Sequence, residues 1–420
     1  MGFFSKIRTS VVRTARALTQ RASTVLGSLR KSESPLADRL LADALRIGEI
    51  PSPTDREEQR AVFVRERLRS LGLSPQVDED GNVRARIPCP DPRDPRPVLV
   101  LAELSSRRWN PLESLSRLDA DRAYGAGLSD SLGPATLLSL AESLLTGGMS
   151  LPRDVLLLFA ARALDDPRGT VLRSLAEDPQ DRPAAALCVR GLSLGAVHAA
   201  SLGTYRIEVR VRTDLGEEEA PRKSGSADRP TKAADRRPKS ADRAPKSAVD
   251  AVVALARTLT GVTWDAEGRT TCSVRRIEAG AGFGREPTEG VLDIELESPD
   301  ESVLDLARKA AVATAESKGR EAGLRTEVTI AGYVPAGGSG EGTDLSSRVI
   351  QALKEQRLRI REESGADAAA FFSSRGIPSA SVAVASGREG LDRDEIEVAS
   401  IEKGRRLLVS VVEKVSREVP

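Results

Sequence analysis

The chain has 420 residues, 40% hydrophobic and 30% charged, which is the composition of folded globular protein with a sizeable core. Lys+Arg 63 against Asp+Glu 62 leaves a net charge of +1, and aromatics are 3%. That excludes a chain drawn to polyanions by its overall field and argues against base-stacking nucleic-acid sites. A single histidine excludes a histidine-rich zinc site and leaves no plausible Ser-His-Asp or Cys-His arrangement. Cys89, Cys188 and Cys272 lie far apart, with no CxxC and no disulfide framework, which suits a reducing, cytoplasmic compartment. No apolar run reaches about 18 residues, so no membrane-spanning segment is predicted.

Residues 1–35 stand apart. Met1 to Ser32 contains no acidic residue, while Lys6, Arg8, Arg13, Arg16, Arg21, Arg30 and Lys31 are basic. Phe3, Phe4, Ile7, Val11, Ala15, Leu18, Ala22, Val25 and Leu29 recur at helical steps. The pattern predicts a basic amphipathic helix over residues 1–31. It either lies on an anionic membrane surface, which would make the protein peripheral, or packs on its own domain or a partner. There is no continuous apolar stretch of the secretory kind.

From Leu36 the spacing predicts a helix to Gly48, a turn at Ile50-Pro51-Ser52-Pro53-Thr54, and a helix capped by Asp55 and stopped at Gly72. A hairpin on Asp80-Gly81-Asn82 spans Gln76 to Ile87. Buried strands are read at Pro97–Leu104, Val155–Ala161 and Ala184–Val189, with a helix from Ser131 to Leu145 capped by Ser129 or Asp130. Strands alternating with helices predict an α/β sheet covered on both faces.

Tyr205 to Ala331 changes rhythm. Strands at Tyr205–Val211, Thr270–Ala279, Gly290–Ser298 and Leu324–Ala331, with helices at Ala248–Leu259 and Asp300–Lys318, give the order β-α-β-β-α-β of a ferredoxin-like domain. Its first strand and first helix are separated by an insert, residues 214–247. There Ser226–Lys232, Ala233–Lys239 and Ser240–Lys246 repeat every seven residues. A proline in each repeat and no apolar seam exclude a coiled coil and predict a disordered, charged loop. Helices at Leu345–Gln356, Ala366–Ser374 and Ser400–Val415 and a strand at Ser379–Ala385 resume the first pattern. The reading is therefore an α/β domain of residues 36–203 and 332–420, with a second domain of residues 204–331 inserted.

Several segments in this order resemble the co-catalytic zinc exopeptidases and deacylases, the family of tripeptide aminopeptidase, succinyl-diaminopimelate desuccinylase and the glutamate-releasing carboxypeptidases. They are Ile50-Pro51-Ser52-Pro53, Leu71-Gly72-Leu73, Asp80-Gly81-Asn82-Val83, Tyr124-Gly125-Ala126-Gly127-Leu128-Ser129-Asp130, Ser364-Gly365-Ala366-Asp367 and the run from Asp394 to Gly404. The resemblance covers residues 36–415. It implies a three-layer α/β domain with a ferredoxin-like lid that pairs two chains into a homodimer.

It also implies two zinc ions bridged by an Asp and a water, with a Glu as general base. Here the sequence departs. The His-x-Asp pair after the first buried strand reads Glu103-Leu104-Ser105, and the bridging Asp is matched by Asp130. The base and the ligand beside it fall at Ala163 and Leu164; a two-residue slip would offer Asp165 and Asp166 instead. The next ligand falls at Arg190 and the last at Leu391. In the lid, Glu297 stands at the family's Arg and Gly284 near its Asn. No metal is therefore expected. If one binds, Glu103, Asp130, Asp165 and Asp166, with Asp392 near, would make an all-oxygen site suited to Mg, Ca or Mn. Asp130 on its own reads as a helix cap before it reads as a ligand, and His198, away from every family ligand position, as an ordinary hydrogen-bonded or exposed side chain. Arg190 is expected to pair with Asp130 or Glu103. The function implied is that of a catalytically inactive homologue, a binding or scaffolding protein. The alternative is a metal-dependent hydrolase of peptides or N-acyl amino acids with a rebuilt carboxylate site.

If residues 1–31 form a membrane-binding helix, full-length protein will sediment with liposomes increasingly as anionic lipid rises and less as salt rises. A variant starting at Glu33 will not, and equal sedimentation of the two rejects that role.

Overall fold

The structure, a computed structural model, describes residues 34–53, 56–92, 94–106, 115–119, 121–149, 151–161, 170–177, 182–213, 247–283, 285, 287–336, 345–365, 368–390 and 392–418. The helix predicted over residues 1–31, the repeat insert and Asp55 lie outside them. In chain order the first elements are α1 (Pro35–Glu49), α2 (Glu58–Ser70), β1 (Gln76–Val77), β2 (Val83–Ile87), β3 (Val98–Glu103), β4 (Arg117–Asp119), β5 (Arg122–Gly125) and α3 (Leu128–Thr146). Next come β6 (Val155–Ala160), α4 (Thr170–Glu177), β7 (Ala185–Arg190), β8 (Ala196–Ser201) and β9 (Gly203–Thr213). They are followed by α5 (Ala248–Thr260), β10 (Thr271–Ala279), β11 (Glu289–Ser298), α6 (Glu301–Ala322) and β12 (Leu324–Val334). The last are α7 (Ser346–Glu355), β13 (Arg361–Gly365), α8 (Ala369–Ser373), β14 (Ser379–Ala383), β15 (Gly387–Arg388), β16 (Asp394–Glu397) and α9 (Val398–Glu418).

The chain divides into two units, Met1–Leu202 with Val334–Pro420, and Gly203–Tyr333. The first unit is a mixed α/β fold on a six-stranded sheet of order β1-β2-β6-β3-β7-β14. β3 lies parallel to both β6 and β7, and β14 parallel to β7, while the β1–β2 hairpin adds antiparallel to β6. The central strands are unbroken apolar runs, Val98–Ala102 and Val155–Ala160 being buried throughout. That is the pattern of strands covered on both faces. Helices α1, α3, α7 and α9 supply much of the cover. Arg67 on α2 ties three helices together, pairing Asp43 on α1 at 3.1 Å and Glu142 on α3 at 3.2 Å. Ser34 caps α1 at Ala37 N and donates to Glu402 on α9 at 2.9 Å, joining the two ends of the described chain.

Two smaller sheets were not predicted. β4, β5, β16 and β15 form an antiparallel sheet, and β8 pairs in parallel with β13. Strands of two to four residues and the polar Arg361–Gly365 carry too little alternation to be read as strands. His198, expected just before the inserted domain, sits in β8 opposite Glu363.

The second unit has the order β10-β11-β9-β12 with α5 and α6. Ile207, Val209 and Val211 alternate inward against Arg206, Glu208 and Arg210. The polar side chains form an ion-pair ladder with β10 and β11, including Arg206–Glu295 at 3.2 Å, Arg210–Glu289 at 2.9 Å and Arg276–Asp293 at 2.8 Å. Tyr205 and Tyr333, where the chain enters and leaves this unit, stack with centroids 4.6 Å apart. Asp300 caps α6 through Ser302 N and Val303 N, and Gly323 ends it in the left-handed region. Among the described residues no helix is long and apolar enough to cross a membrane.

α9 lies directly on the chain leaving β14. A Cβ added at Gly404 would stand 1.6 Å from the Val384 carbonyl oxygen, a backbone atom that cannot swing aside. Gly404→Ala therefore gains about 1 kcal/mol of helix propensity but loses more to the displaced helix. Thermal melting will show a net loss of stability of roughly 1–3 kcal/mol; a neutral or raised Tm would contradict this packing.

Candidate functional site

β3 and β7 are buried apolar runs, and each closes on one half-buried charged residue, Glu103 and Arg190. At the carboxyl ends of parallel strands side chains leave the core, and ligands collect there in α/β sheets. A pocket of about 180 Å³ opens at these ends, and Glu103, Ser105, Asp130 and Arg190 all line it, with Ser129, Cys188, Ser193 and Glu389.

α3 starts across the strand ends. The expected cap at Ser129 or Asp130 is corrected by the structure: Gly127, left-handed at φ 66°, precedes the helix, which begins at Leu128. Ser129 is instead held by Asp394, whose Oδ2 accepts from Ser129 N at 2.9 Å and from its Oγ at 2.7 Å. Asp394 is fully buried and comes from β16, which pairs with β5 just before α3. A carboxylate at a helix N-terminus is favoured by the helix dipole. The helix can sit so close only because residue 191 is glycine, since a Cβ there would stand 1.9 Å from the Ser129 carbonyl oxygen. Asp130, in the first turn, faces the pocket and accepts from Ser106 Oγ at 3.2 Å. Ser193 on the rim holds φ 77°, a left-handed conformation costly for a residue with a Cβ.

Behind this wall is a polar network that the sequence reading missed. Ser105 Oγ donates to the buried Glu57 at 2.7 Å. Leu104 O accepts from Ser52 Oγ and from Arg60 Nη1, each at 3.0 Å, and Arg60 Nε donates to Ile50 O at 3.1 Å. Arg60 has no exposed surface, and burial pulls its guanidinium down to about 10 against the opposing fields of Asp130 and Glu57. The signal for Arg60 was present. It shares the stripe of Ala61, Val64 and Leu68 that α2 buries, so an arginine stands where the helical period asks for an apolar residue.

Ala163, Leu164, Asp165, Asp166, Leu391 and Gly284 lie outside the described residues. Asp392 is not among the pocket's lining residues, whereas Glu389 from the same segment is, and His198 lies in β8. Glu297 is in the second unit, its carboxyl pushed up by burial and by Glu295 against the pull of Arg275 and Arg206. The zinc pair that the resemblance implies does not fit the donors described here. Glu103 and Asp130 share their pocket with Arg190, and the Ser105 hydroxyl is engaged by Glu57. Among the described residues no group of three or more His, Cys, Asp or Glu is arranged to hold a metal ion.

Asp394→Ala removes the acceptor of the buried Ser129 N–H. An unsatisfied buried donor costs about 1–3 kcal/mol, so melting will show a loss of that order, with Asp394→Asn milder because its amide oxygen still accepts. Equal Tm values for wild type and Asp394→Ala would show that Asp394 does not hold this helix start.

No protein-family model and no curated protein matches the chain. Solved structures do. A tripeptidase from Staphylococcus aureus subsp. aureus Mu50 superposes with a TM-score of 0.64 at 14% identity, over 91% of this chain and 99% of that one. An amidase of the hydantoinase/carbamoylase family from Burkholderia vietnamiensis gives 0.64 at 14% identity, over 93% and 100%. A dinuclear metal-binding peptidase of the M20 family from Bacillus subtilis gives 0.58 at 13%, over 90% and 98%. At such identity the likeness is one of fold, spanning both units and nearly the full length of each neighbour, and this chain has the M20-type exopeptidase fold.

Proposed function

We propose that the chain is a non-hydrolytic protein on an exopeptidase scaffold, which binds a small polar ligand or a partner at the pocket where the fold's enzymes place their metals. One observation carries this reading. Arg190 lines the same pocket as Glu103 and Asp130, so a permanent positive charge stands among the carboxylates a cation would need. Ser105, where the resemblance asks for a carboxylate, contributes only a hydroxyl, and that hydroxyl donates to Glu57. In this reading Arg190 offsets the pocket carboxylates and no metal-activated water forms. Pairing of two chains through Gly203–Tyr333, whose sheet has β10 and β12 at its edges, belongs to the same proposal.

A second reading has its own support. Glu103 and Asp130 line one pocket, and with Asp165 and Asp166, which lie outside the described residues, they would supply the donors of a rebuilt all-oxygen metal site for hydrolysis of peptides or N-acyl amino acids. Elemental analysis after incubation with excess zinc or manganese and dialysis separates the two. The non-hydrolytic reading expects far less than one equivalent of metal and no peptidase or deacylase activity. Roughly stoichiometric metal, with activity abolished by chelator and by Asp130→Ala, would establish the second reading instead.

A further inference from the structure

Leu104, Ser105 and Ser106 leave β3 in succession, and each holds a different charged side chain. The Leu104 carbonyl accepts from Arg60, the Ser105 hydroxyl donates to Glu57, and the Ser106 hydroxyl donates to Asp130. One cation and two carboxylates are therefore gathered at one strand end. Arg60 has no exposed surface, and Glu57, at the start of the same helix, is buried too. The guanidinium is spent on carbonyls, Ile50 O and Leu104 O, and its Nη2 has no hydrogen-bond partner among the described residues.

An arginine cannot discharge itself by losing its proton. A buried guanidinium not neutralised by a touching carboxylate costs several kcal/mol unless charges nearby offset it. The groups that act on it through space are Asp130 and Glu57. The compensation runs both ways. Asp130 on the pocket wall and Glu57 behind it carry like charges, a repulsion of the kind that a bound metal relieves in a carboxylate site.

Resting on the reading that the pocket is not a metal centre, we propose that Arg60 is a fixed countercharge of the site, acting from behind the pocket while Arg190 acts within it. Its buried guanidinium balances Asp130 and Glu57 from behind, in the electrostatic role that divalent cations fill in a dinuclear peptidase. Arg60 is then a positioning residue. It touches no ligand, and it offsets the charge of the Asp130 carboxylate while making the pocket unwelcoming to a cation.

The proposal fixes a sign. Carboxylates that wait for a metal repel, so neutralising one stabilises the metal-free protein. Carboxylates already balanced by Arg60 attract, so neutralising one destabilises it. The measurement is thermal melting of full-length Asp130→Asn, Arg60→Gln and the double variant, in chelator-treated buffer, with Arg60→Lys as the charge-preserving control. Asp130→Asn is expected to lower Tm by roughly 5 °C and Arg60→Gln by roughly 10 °C. The double variant is expected to melt above Arg60→Gln alone, and Arg60→Lys above Arg60→Gln. A purely structural Arg60, needed only for its two carbonyls, would give additive losses in the double variant, and additivity overturns the proposal. So does an Asp130→Asn variant that melts at or above wild type, an outcome readable even if Arg60→Gln fails to fold. Metal analysis of wild type keeps the two ideas apart. Uptake of stoichiometric zinc overturns the non-hydrolytic reading. A metal-free wild type with a stabilised Asp130→Asn overturns the role of Arg60 alone.

Discussion

The carbonyl of Leu104 accepts two hydrogen bonds at once, one from Ser52 Oγ and one from Arg60 Nη1. This junction fixes where the central strand β3 stops being core and starts being site. Ser52 belongs to the proline-flanked turn after α1, Arg60 to α2, and Ser106 N returns to Ser52 O at 2.6 Å. The turn after α1 and the first turns of α2 are thereby locked to a strand end more than 40 residues away. The wall of the pocket follows, because Ser105 and Ser106 are next in the chain and carry Glu57 and Asp130. The opposite wall is set by the fit of α3 against Gly191, with Asp394 holding the first turn.

The scaffold can place a site at these strand ends whatever fills it. Parallel strands with covered faces must release their side chains at the carboxyl ends, and a helix starting there supplies the facing wall. Nothing in that geometry requires metal. It requires that charges gathered there be balanced, and either a bound cation or a side chain can do so. The M20-type fold at about 14% identity is thus compatible with quite different chemistry in the same pocket, since function lives in the site and not in the fold.

The large elements were legible because each carries a strong period. The apolar runs Val98–Ala102 and Val155–Ala160 and the alternation Ile207-Val209-Val211 leave little freedom in reading them. The short antiparallel sheet that delivers Asp394 was not legible. Its strands are two to four residues long and are made by pairing across the chain, which no local pattern encodes. The sequence therefore offers Asp392 as readily as Asp394, although it is Asp394 that holds the helix. Glu103, Ser105, Asp130 and Arg190 could be located because they sit at fixed offsets from buried strands or within a recognisable segment. Glu57 and Arg60 could not be found by resemblance, since they answer to departures from it. The buried stripe of α2 did contain the clue, as an arginine in an apolar position.

The stack of Tyr205 on Tyr333 has a consequence for how such a chain can be assembled from parts. The two rings stand at the seams of the inserted unit, with Arg308 lying 5.5 Å over Tyr205 and Tyr333 Oη donating to Glu301 at 2.5 Å. A module whose first and last strands, β9 and β12, are hydrogen-bonded neighbours brings its own entrance and exit together. It can then be gained, lost or exchanged at a single point of the host backbone without forcing the host's strands apart. The same closure rests on the pairing of β9 with β12, so repeats between the first strand and first helix can lengthen or diverge without altering where the chain enters and leaves the module.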